Sequence, residues 1–216
     1  MFVDRKDAGI RLASAVKQAL EGKGWFDPQK LVVFGIPRGG VVVAAAVARH
    51  LGCPLHVVIA RKIGHPLNPE LAVGAVAQDG SIVVDPVVSV WSGISEHEVS
   101  RLAQPVREEV QHRIEIYRAN GAAEVACGRI AVVVDDGIAT GITIRAALGF
   151  LRGCGAARAV VGVPVAPRES IEELRKHADL VVCLESPGDF LSVGQWYLDF
   201  SQVRDEEVLA LLNEAG

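Results

Sequence analysis

The chain has 216 residues, of which 50% are hydrophobic, so it is long enough to bury a substantial core in one α/β domain. Its 22 Lys and Arg against 26 Asp and Glu give a formal net charge of -4, which excludes the basic excess that favours nucleic acid as a partner. The four cysteines stand singly, and no apolar run reaches the roughly 18 residues that a membrane helix needs. We therefore expect a soluble, cytoplasmic protein that binds neither a membrane nor nucleic acid.

The first predicted element is a helix over about 4–21, since Leu12, Val16 and Leu20 follow at i+4 spacing behind Asp4, a candidate N-cap. After it, continuous runs rich in β-branched residues alternate with helical patterns, as in βαβ units whose strands are buried on both faces. This order predicts an α/β fold with a mostly parallel, doubly wound sheet. The strand-like runs are 31–36, 55–60, 130–134, 159–163 and 180–184, and the helical segments are about 40–50, 142–152 and 168–177.

Residues 61–86 break this alternation. They include the sequence GHPLNP at 64–69, a composition that is typical of turns and loops. Short strand-like runs follow at 71–77 and 81–84. We therefore predict a flexible loop and then a small antiparallel addition to the sheet.

A long helix is predicted to begin after Ser95, which forms a capping box with Glu98. Apolar residues keep the helical period from there to Tyr117, and Pro105 is expected to kink or split the helix. The chain shows no internal repeat or linker, so one domain is predicted over 1–216. Its parts are a core at about 30–185, a C-terminal hood at about 185–200 and flanking terminal helices.

The chemistry concentrates in VVVDDGIATGIT, residues 132–143. An apolar strand delivers Asp135 and Asp136 to the carboxyl edge of the sheet, where open α/β sheets bind ligands. Gly137 and Gly141 allow the following turn to point its N–H groups inward, and the positive end of the next helix favours a phosphate. Because each carboxylate can accept hydrogen bonds from vicinal hydroxyls, the stretch outlines a site for a ribose 5-phosphate. Alternatively, the two aspartates only end a strand and cap the next helix.

This stretch resembles the donor-binding signature of the type I phosphoribosyltransferase family, a hydrophobic strand and two acidic residues before a Gly/Ala/Thr turn that ends in Thr. The resemblance implies that the donor is 5-phosphoribosyl 1-pyrophosphate (PRPP). It also implies that Asp135 and Asp136 orient the ribose, act in catalysis and hold Mg²⁺, the expected cofactor. In the turn it implies donor contacts at Gly137, Ile138, Ala139, Thr140, Gly141 and Thr143.

A second motif, GIPRGG at 35–40, follows the first strand and resembles the short pyrophosphate loop of the same family. Gly39 and Gly40 would let the backbone approach an anion, and Arg38 could chelate it bidentately. The alternative is an ordinary strand-to-helix turn with a solvated arginine.

Arg61 and Lys62 directly follow the second strand-like run and resemble the Arg-Lys pair that opens the catalytic loop of the adenine and orotate members. The resemblance implies that both touch pyrophosphate and that Lys62 is catalytic. A further basic residue of such loops is matched only by His65. Glu70 could be the loop carboxylate with which some purine members transfer a proton. Solvated loop side chains are the alternative for each.

Residues 185–200 resemble the C-terminal hood of the hypoxanthine-type members. Phe190 or Trp196 would stack on a flat acceptor, although a buried aromatic is the commoner arrangement. Asp199 matches the end of the Gly-to-Asp segment of those enzymes and is a candidate metal ligand. One extra residue after Gly194 and the lack of a lysine for a 6-oxo group depart from that pattern, so the acceptor is not assigned.

The resemblance implies that a nitrogen of a nucleobase-like acceptor displaces pyrophosphate from the anomeric carbon of PRPP. Mg²⁺, Arg38 and Lys62 would neutralise the leaving group, and closure of the 61–80 loop would exclude water. One alternative is a regulator that keeps the donor pocket as a sensor. Another nucleotide or sugar-phosphate enzyme is disfavoured, because no strand is followed by a Walker lysine or a complete GxGxxG. The oligomeric state stays open, a homodimer included.

Overall fold

The computed structural model describes residues 1–85, 88, 91 and 93–214, and only the backbone of Glu70. Strands and helices alternate along most of this part of the chain, except that four strands follow one another at 55–84 and helices follow one another at 96–126. The strands are β1 (Leu31–Gly35), β2 (Leu55–Val57), β3 (Ala60–His65), β4 (Asn68–Ala77), β5 (Ile82–Val84), β6 (Ile130–Val134), β7 (Arg158–Val165) and β8 (Leu180–Glu185). The α-helices are α1 (Arg5–Gly22), α2 (Gly39–Leu51), α3 (Glu96–Tyr117), α4 (Ala122–Ala126), α5 (Ile142–Gly153), α6 (Arg168–Leu174) and α7 (Asp205–Glu214), and 3-10 helices lie at Pro28–Lys30, Ala119–Gly121 and Val193–Trp196.

The main sheet has five parallel strands in the order β2-β1-β6-β7-β8, which confirms the predicted fold class. Val33 and Val132 pack with helices α1 and α2, whereas Val32 and Val133 pack with α5, so helices cover both faces. The chain runs from β1 outward to β2 and later returns to place β6 on the other side of β1. The strand order therefore reverses between β1 and β6, the position where sheets of this kind bind ligands.

Strands β3, β4 and β5 form a separate antiparallel sheet, which confirms the predicted antiparallel addition. The prediction that a loop opens this region is wrong, because β3 and β4 form a hairpin in which Lys62 pairs with Ala75. Ile63 of β3 is buried, and this apolar contact supports a strand beside residues that are typical of turns. The predicted mobility of the region stays a prediction.

Helices α1 and α3 begin directly after Asp4 and Ser95, the N-caps that the sequence predicts. The Asp4 carboxylate accepts a hydrogen bond from the backbone N–H of Asp7 at 2.8 Å, and the Ser95 hydroxyl accepts one from the N–H of Glu98 at 3.2 Å. Helix α3 runs through Pro105 without a break, because this proline lies on the exposed face, where water can satisfy the freed carbonyl. None of the helices in the described ranges has both the length and the apolar composition to span a bilayer.

The beginning of the chain lies beside the C-terminal hood. The N–H of Phe2 donates to the carbonyl of Trp196 at 2.8 Å, and the N–H of Leu198 donates to the carbonyl of Phe2 at 2.9 Å. Helix α1 then packs closely on α2, since a Cβ on Gly9 would lie 2.8 Å from the Cβ of Ala46. This close approach brings the first turn of α1 to the carboxyl edge of the main sheet.

Candidate functional site

The turns after β1 and β6 lie against each other where the strand order reverses. A Cβ on Gly40 would lie 2.8 Å from Oδ1 of Asp135, and a Cβ on Gly39 would overlap Oδ2 of Asp136. Because no larger side chain fits at either position, the two glycines let the backbone of the first turn approach both carboxylates. The two motifs recognised in the sequence therefore form one site.

The turn at 137–141 is fixed from two sides before helix α5 begins. The N–H of Ile138 donates to the carbonyl of Val165 at 2.9 Å, and the hydroxyl of Ser170 donates to the carbonyl of Ala139 at 2.6 Å. Gly141 has a φ of 77°, a left-handed conformation that glycine adopts without strain. The first N–H groups of α5 have no acceptor within the helix, so the turn presents donors to an anion.

A cleft of about 170 Å³ separates this turn from the antiparallel sheet. Lys62 and Ala72 line it from the sheet, and Asp135 lines it from the end of β6. A lysine and a carboxylate beside N–H donors suit a ligand that carries both phosphates and hydroxyls. From the turn and the start of α5, the cleft is lined by Gly137, Ile138, Ala139, Thr140, Gly141, Ile142, Thr143 and Ile144.

Arg61 and Lys62 point in different directions, because successive residues of a strand face opposite sides. Lys62 lines the cleft, whereas Nη2 of Arg61 pairs with Oε1 of Glu109 in α3 at 3.0 Å. Arg113 pairs with the same carboxylate oxygen at 3.0 Å. The structure therefore brings Lys62 to the site but not Arg61.

The two adjacent aspartates also differ in their partners. Asp135 lines the cleft, whereas Oδ2 of Asp136 pairs with Nε of Arg5 at 2.7 Å, and the side chains of Asp136 and Arg5 are only 15% and 11% exposed. Arg5 also donates from Nη1 to the carbonyl of Ser201 at 2.8 Å. Its guanidinium lies over the ring of Phe200, 3.8 Å from the centroid. Asp136 is thus committed to a contact outside the cleft.

The electrostatics of the two carboxylates follow from this arrangement. Desolvation and the neighbouring Asp136 carboxylate raise the pKa of Asp135 well above its ordinary value. Desolvation also raises the pKa of Asp136, and the Arg5 guanidinium opposes that rise. A cation or hydroxyl donors placed at Asp135 would therefore stabilise its ionised form.

Arg38, the predicted pyrophosphate ligand, lies at the start of α2 after a cis peptide bond with Pro37. Its Nη1 is 3.9 Å from Oδ1 of Asp205 in α7, an acid that also accepts a hydrogen bond from the hydroxyl of Tyr117. Burial and this hydrogen bond raise the pKa of Tyr117 to about 12. Arg38 therefore lies beside the Gly39 turn with a carboxylate as its neighbour rather than in the cleft.

The two predicted stacking aromatics, Phe190 and Trp196, pack in the hood instead of lining the cleft. They lie against four buried residues: Phe2, Ala8, Val165 and Tyr197. Val193 of the hood contacts the turn at 137–141, because a Cβ on Gly137 would overlap its Cγ1. The structure thus favours the alternative of packed aromatics.

Asp199 is exposed and hydrogen-bonded to Ser201, whose N–H donates to Oδ1 at 2.9 Å. It lines a different cleft, of about 220 Å³, together with Lys6 and Gln202. In residues 1–85, 88, 91 and 93–214, apart from the Glu70 side chain, no three His, Cys, Asp or Glu come close enough to hold a metal ion. The structure therefore does not bring Asp199 together with Asp135 and Asp136, and its role as a metal ligand stays a prediction.

The two remaining candidates lie on the β3–β4 hairpin. Nδ1 of His65 accepts a hydrogen bond from the N–H of Leu67 at 3.1 Å, so this histidine closes the hairpin turn. The side chain of Glu70 lies outside the described residues, and its predicted role in proton transfer stays a prediction.

Three residues of the site were missed in the sequence. Arg5 left a weak signal, since a cation in the first turn of a helix opposes the helix dipole and needs a nearby anion. Tyr197 and Ser170 left no signal in the sequence. The hydroxyl of Tyr197 donates to the carbonyl of Asp136, 61 residues away, and that of Ser170 donates to the carbonyl of Ala139, 31 residues away.

Comparisons with known proteins agree with this geometry. The profile of the phosphoribosyl transferase domain matches residues 3–201. The chain belongs to this family. The chain is similar to curated proteins of Mycobacterium tuberculosis strains CDC 1551 and H37Rv. The names of these proteins describe them as candidate phosphoribosyl transferases. Each is 42% identical over 215 residues, which cover 100% of this chain and 47% of the relative.

The chain thus spans about half the length of the curated relatives it matches. Among solved structures, the crystal structure of TT1426 from Thermus thermophilus is 41% identical and superposes with a TM-score of 0.75. That match covers 99% of this chain and 98% of the other. The predicted fold and the family resemblance are therefore confirmed.

Proposed function

We propose that the chain transfers a 5-phosphoribosyl group from PRPP to a nitrogen of a nucleobase-like acceptor and releases pyrophosphate. The observation that carries the proposal is one cleft that contains Lys62, Asp135 and the turn at 137–141 at the switch point of the sheet. Membership of the phosphoribosyl transferase family supports the class of reaction. The curated relatives are about twice as long as this chain. The substrates of the whole protein are therefore proposed here and are not taken over from those relatives.

The 5-phosphate end of the donor fits the turn at 137–141. Its N–H groups, the hydroxyls of Thr140 and Thr143, and the positive end of α5 all favour an anion. The bonds to Val165 and Ser170 hold the turn before the ligand arrives, which lowers the entropic cost of binding.

The ribose and the leaving group fit the rest of the cleft. Asp135 would accept hydrogen bonds from the ribose hydroxyls and stabilise the positive charge that develops on the sugar as the bond to pyrophosphate breaks. Lys62 would neutralise the departing pyrophosphate, and the Gly39 turn would let the backbone approach it. Arg38 would add a second cation on leaving its distant contact with Asp205.

Mg²⁺ is the proposed cofactor, and the oxygen ligands present fit it. This ion is commonly bound by one or two carboxylates, with substrate phosphates and water as the other ligands. Asp135 would supply a carboxylate of that kind. When bound, Mg²⁺ would contribute countercharge to the pyrophosphate.

Calorimetric titration with PRPP and Mg²⁺, followed by a screen of nucleobases and small amines for pyrophosphate release, tests the proposal. We expect saturable binding, and release with at least one acceptor. Asp135→Asn should weaken binding on the order of a hundredfold, since it removes a charged acceptor of hydroxyl groups. Asp79→Asn, the same change at an exposed hairpin turn, should leave it unaltered.

Each alternative gives a different result. Tight PRPP binding without pyrophosphate release from any acceptor would assign the chain to donor-sensing regulators. An unchanged affinity in a folded Asp135→Asn variant would move the donor out of this cleft.

A further inference from the structure

Helix α7 begins after residue 201, where the match to the family profile ends, yet its first residue approaches the turn after β1. Nη1 of Arg38, the residue before Gly39, is 3.9 Å from Oδ1 of Asp205. The side chains of Arg38 and Asp205 are 30% and 40% exposed. An acid from outside the common domain of the family therefore lies beside the cation that is expected to meet pyrophosphate.

Asp205 is held in this position by contacts that do not involve the turn. Its carboxylate accepts a hydrogen bond from the hydroxyl of Tyr117, a buried residue at the end of α3. Helix α7 packs along α2, since its Val208 is fully buried and Glu214 at its far end pairs with Arg49 at 3.6 Å. An acid in the first turn of a helix is also favoured by the helix dipole. Asp205 would therefore stay in place if its contact with the arginine broke.

The contact between Arg38 and Asp205 is weak by comparison. An ion pair of this length between partly exposed groups changes an equilibrium constant by less than about fivefold. An arginine can bind phosphate oxygens through two parallel hydrogen bonds, which together are stronger than such a pair. A pyrophosphate group at the Gly39 turn would therefore draw Arg38 away from Asp205 at a small cost.

We propose that Asp205 competes with the pyrophosphate group of the donor for Arg38 and thereby lowers the affinity of the site for ligands that carry pyrophosphate. This inference rests on the proposed function, because it takes PRPP as the donor. Asp205 acts as a positioning residue, since it contacts Arg38 and not the ligand. The same contact would form again as pyrophosphate leaves, which favours release of that product.

Calorimetric titration of the full chain with PRPP, inorganic pyrophosphate or ribose 5-phosphate, each with Mg²⁺, tests the inference. Asp205→Asn removes the charge but keeps an oxygen that can accept from Tyr117. It should raise the affinity for PRPP and for pyrophosphate about threefold at low salt and by less at high salt, because salt screens the competing charge. The affinity for ribose 5-phosphate should not change, because this ligand lacks the pyrophosphate that Arg38 would bind.

Two further variants separate competition for Arg38 from a general effect of charge. Glu206→Gln removes the same charge from an exposed position one residue further along α7, and it should leave all three affinities unaltered. Arg38→Gln should weaken PRPP binding by about tenfold. Adding Asp205→Asn to Arg38→Gln should give no gain, since no cation is left to compete for. A threefold gain in that background would mean that Asp205 repels the ligand directly, and would overturn the inference.

Unchanged or weaker binding of pyrophosphate to a folded Asp205→Asn variant would also overturn the inference, as would an equal gain for ribose 5-phosphate. If Asp205→Asn does not fold by circular dichroism, Asp205→Ser takes its place with the same expected results, because serine is also favoured at the start of a helix. If the unaltered chain binds neither PRPP nor pyrophosphate, the proposed function fails, and this inference with it. Binding that Asp205→Asn leaves unaltered contradicts this inference alone.

Discussion

The two turns at the switch point differ from the elements that cover them in what holds each in place. The turns at 36–40 and 137–141 are fixed by hydrogen bonds to their main chain, and Gly39 and Gly40 of the first turn lie against carboxylates. The β3–β4 hairpin and the hood also form main-chain hydrogen bonds, and in addition they are held by side chains from distant parts of the chain, such as Glu109 on Arg61 and Phe2 against Tyr197. The donor end of the proposed site therefore depends mainly on its main chain, and the elements that cover it depend on distant side chains as well.

This difference implies separate consequences for substitution in the two regions. Changes in the turns should alter donor binding, because main-chain donors and glycine contacts leave little freedom for adjustment. Changes in the covering elements should mostly alter stability. Lys62 is the exception, since it belongs to the hairpin but lines the cleft.

The largest expected effect is at Lys62. If it meets pyrophosphate as the bond to ribose breaks, Lys62→Ala should lower kcat on the order of a hundredfold and raise the KM for PRPP much less. Pyrophosphate release with an acceptor from the screen, or slow donor hydrolysis, is the readout.

Arg61→Ala is the matched control, because it removes the adjacent cation from the opposite face of the same strand. We expect turnover to stay within about threefold of that of the unaltered chain, since Arg61 pairs with Glu109. Equal losses in both variants would mean that the two cations act together, against the arrangement in this structure.

A smaller effect is expected at Ser170, which is buried and supports the donor turn from α6. Ser170→Ala removes the hydrogen bond to Ala139, which should lower the free energy of unfolding by about 1 kcal/mol. The looser turn should weaken PRPP binding roughly fivefold. Thermal unfolding and calorimetry measure the two effects, with Ser186→Ala, at an exposed serine, as the control. A stability loss with unaltered affinity would show that the turn needs no support from α6.

The smallest effect on donor binding is expected in the hood. Trp196→Ala should lower the free energy of unfolding by about 2 kcal/mol, because a half-buried aromatic leaves the cluster around Phe2. Affinity for PRPP should stay within about twofold, since Trp196 does not line the cleft. Unaltered stability together with a lost acceptor would restore the stacking role that the sequence predicted.

The parts of the fold that the sequence predicts well depend on local patterns. The five strands of the main sheet follow continuous β-branched runs, and the caps at Asp4 and Ser95 depend on residues three positions away. Strand β3 was missed because Gly64 and Pro66 indicate a turn, whereas pairing with β4 and burial of Ile63 favour a strand. Tertiary contacts of this kind have no local signature.

The same limit applies to the site. The stretch at 132–143 predicts a phosphate turn, because glycines, threonines and a following helix are all local features. The different partners of Asp135 and Asp136 depend on Arg5, which lies 131 residues from Asp136 in the chain. The positions of Trp196 and Asp199 depend on how the hood meets the beginning of the chain. Neither arrangement could be predicted from spacing.

The most direct test of the central claim, that the donor phosphate binds the turn after β6, needs no substitution. Addition of PRPP and Mg²⁺ to the isotopically labelled chain should shift the amide resonances of Ala139, Thr140 and Gly141 more than any others, because their N–H groups would donate to the phosphate. If the largest shifts fall instead on Lys6 and Gln202, in the cleft beside α1, the donor site proposed here is contradicted.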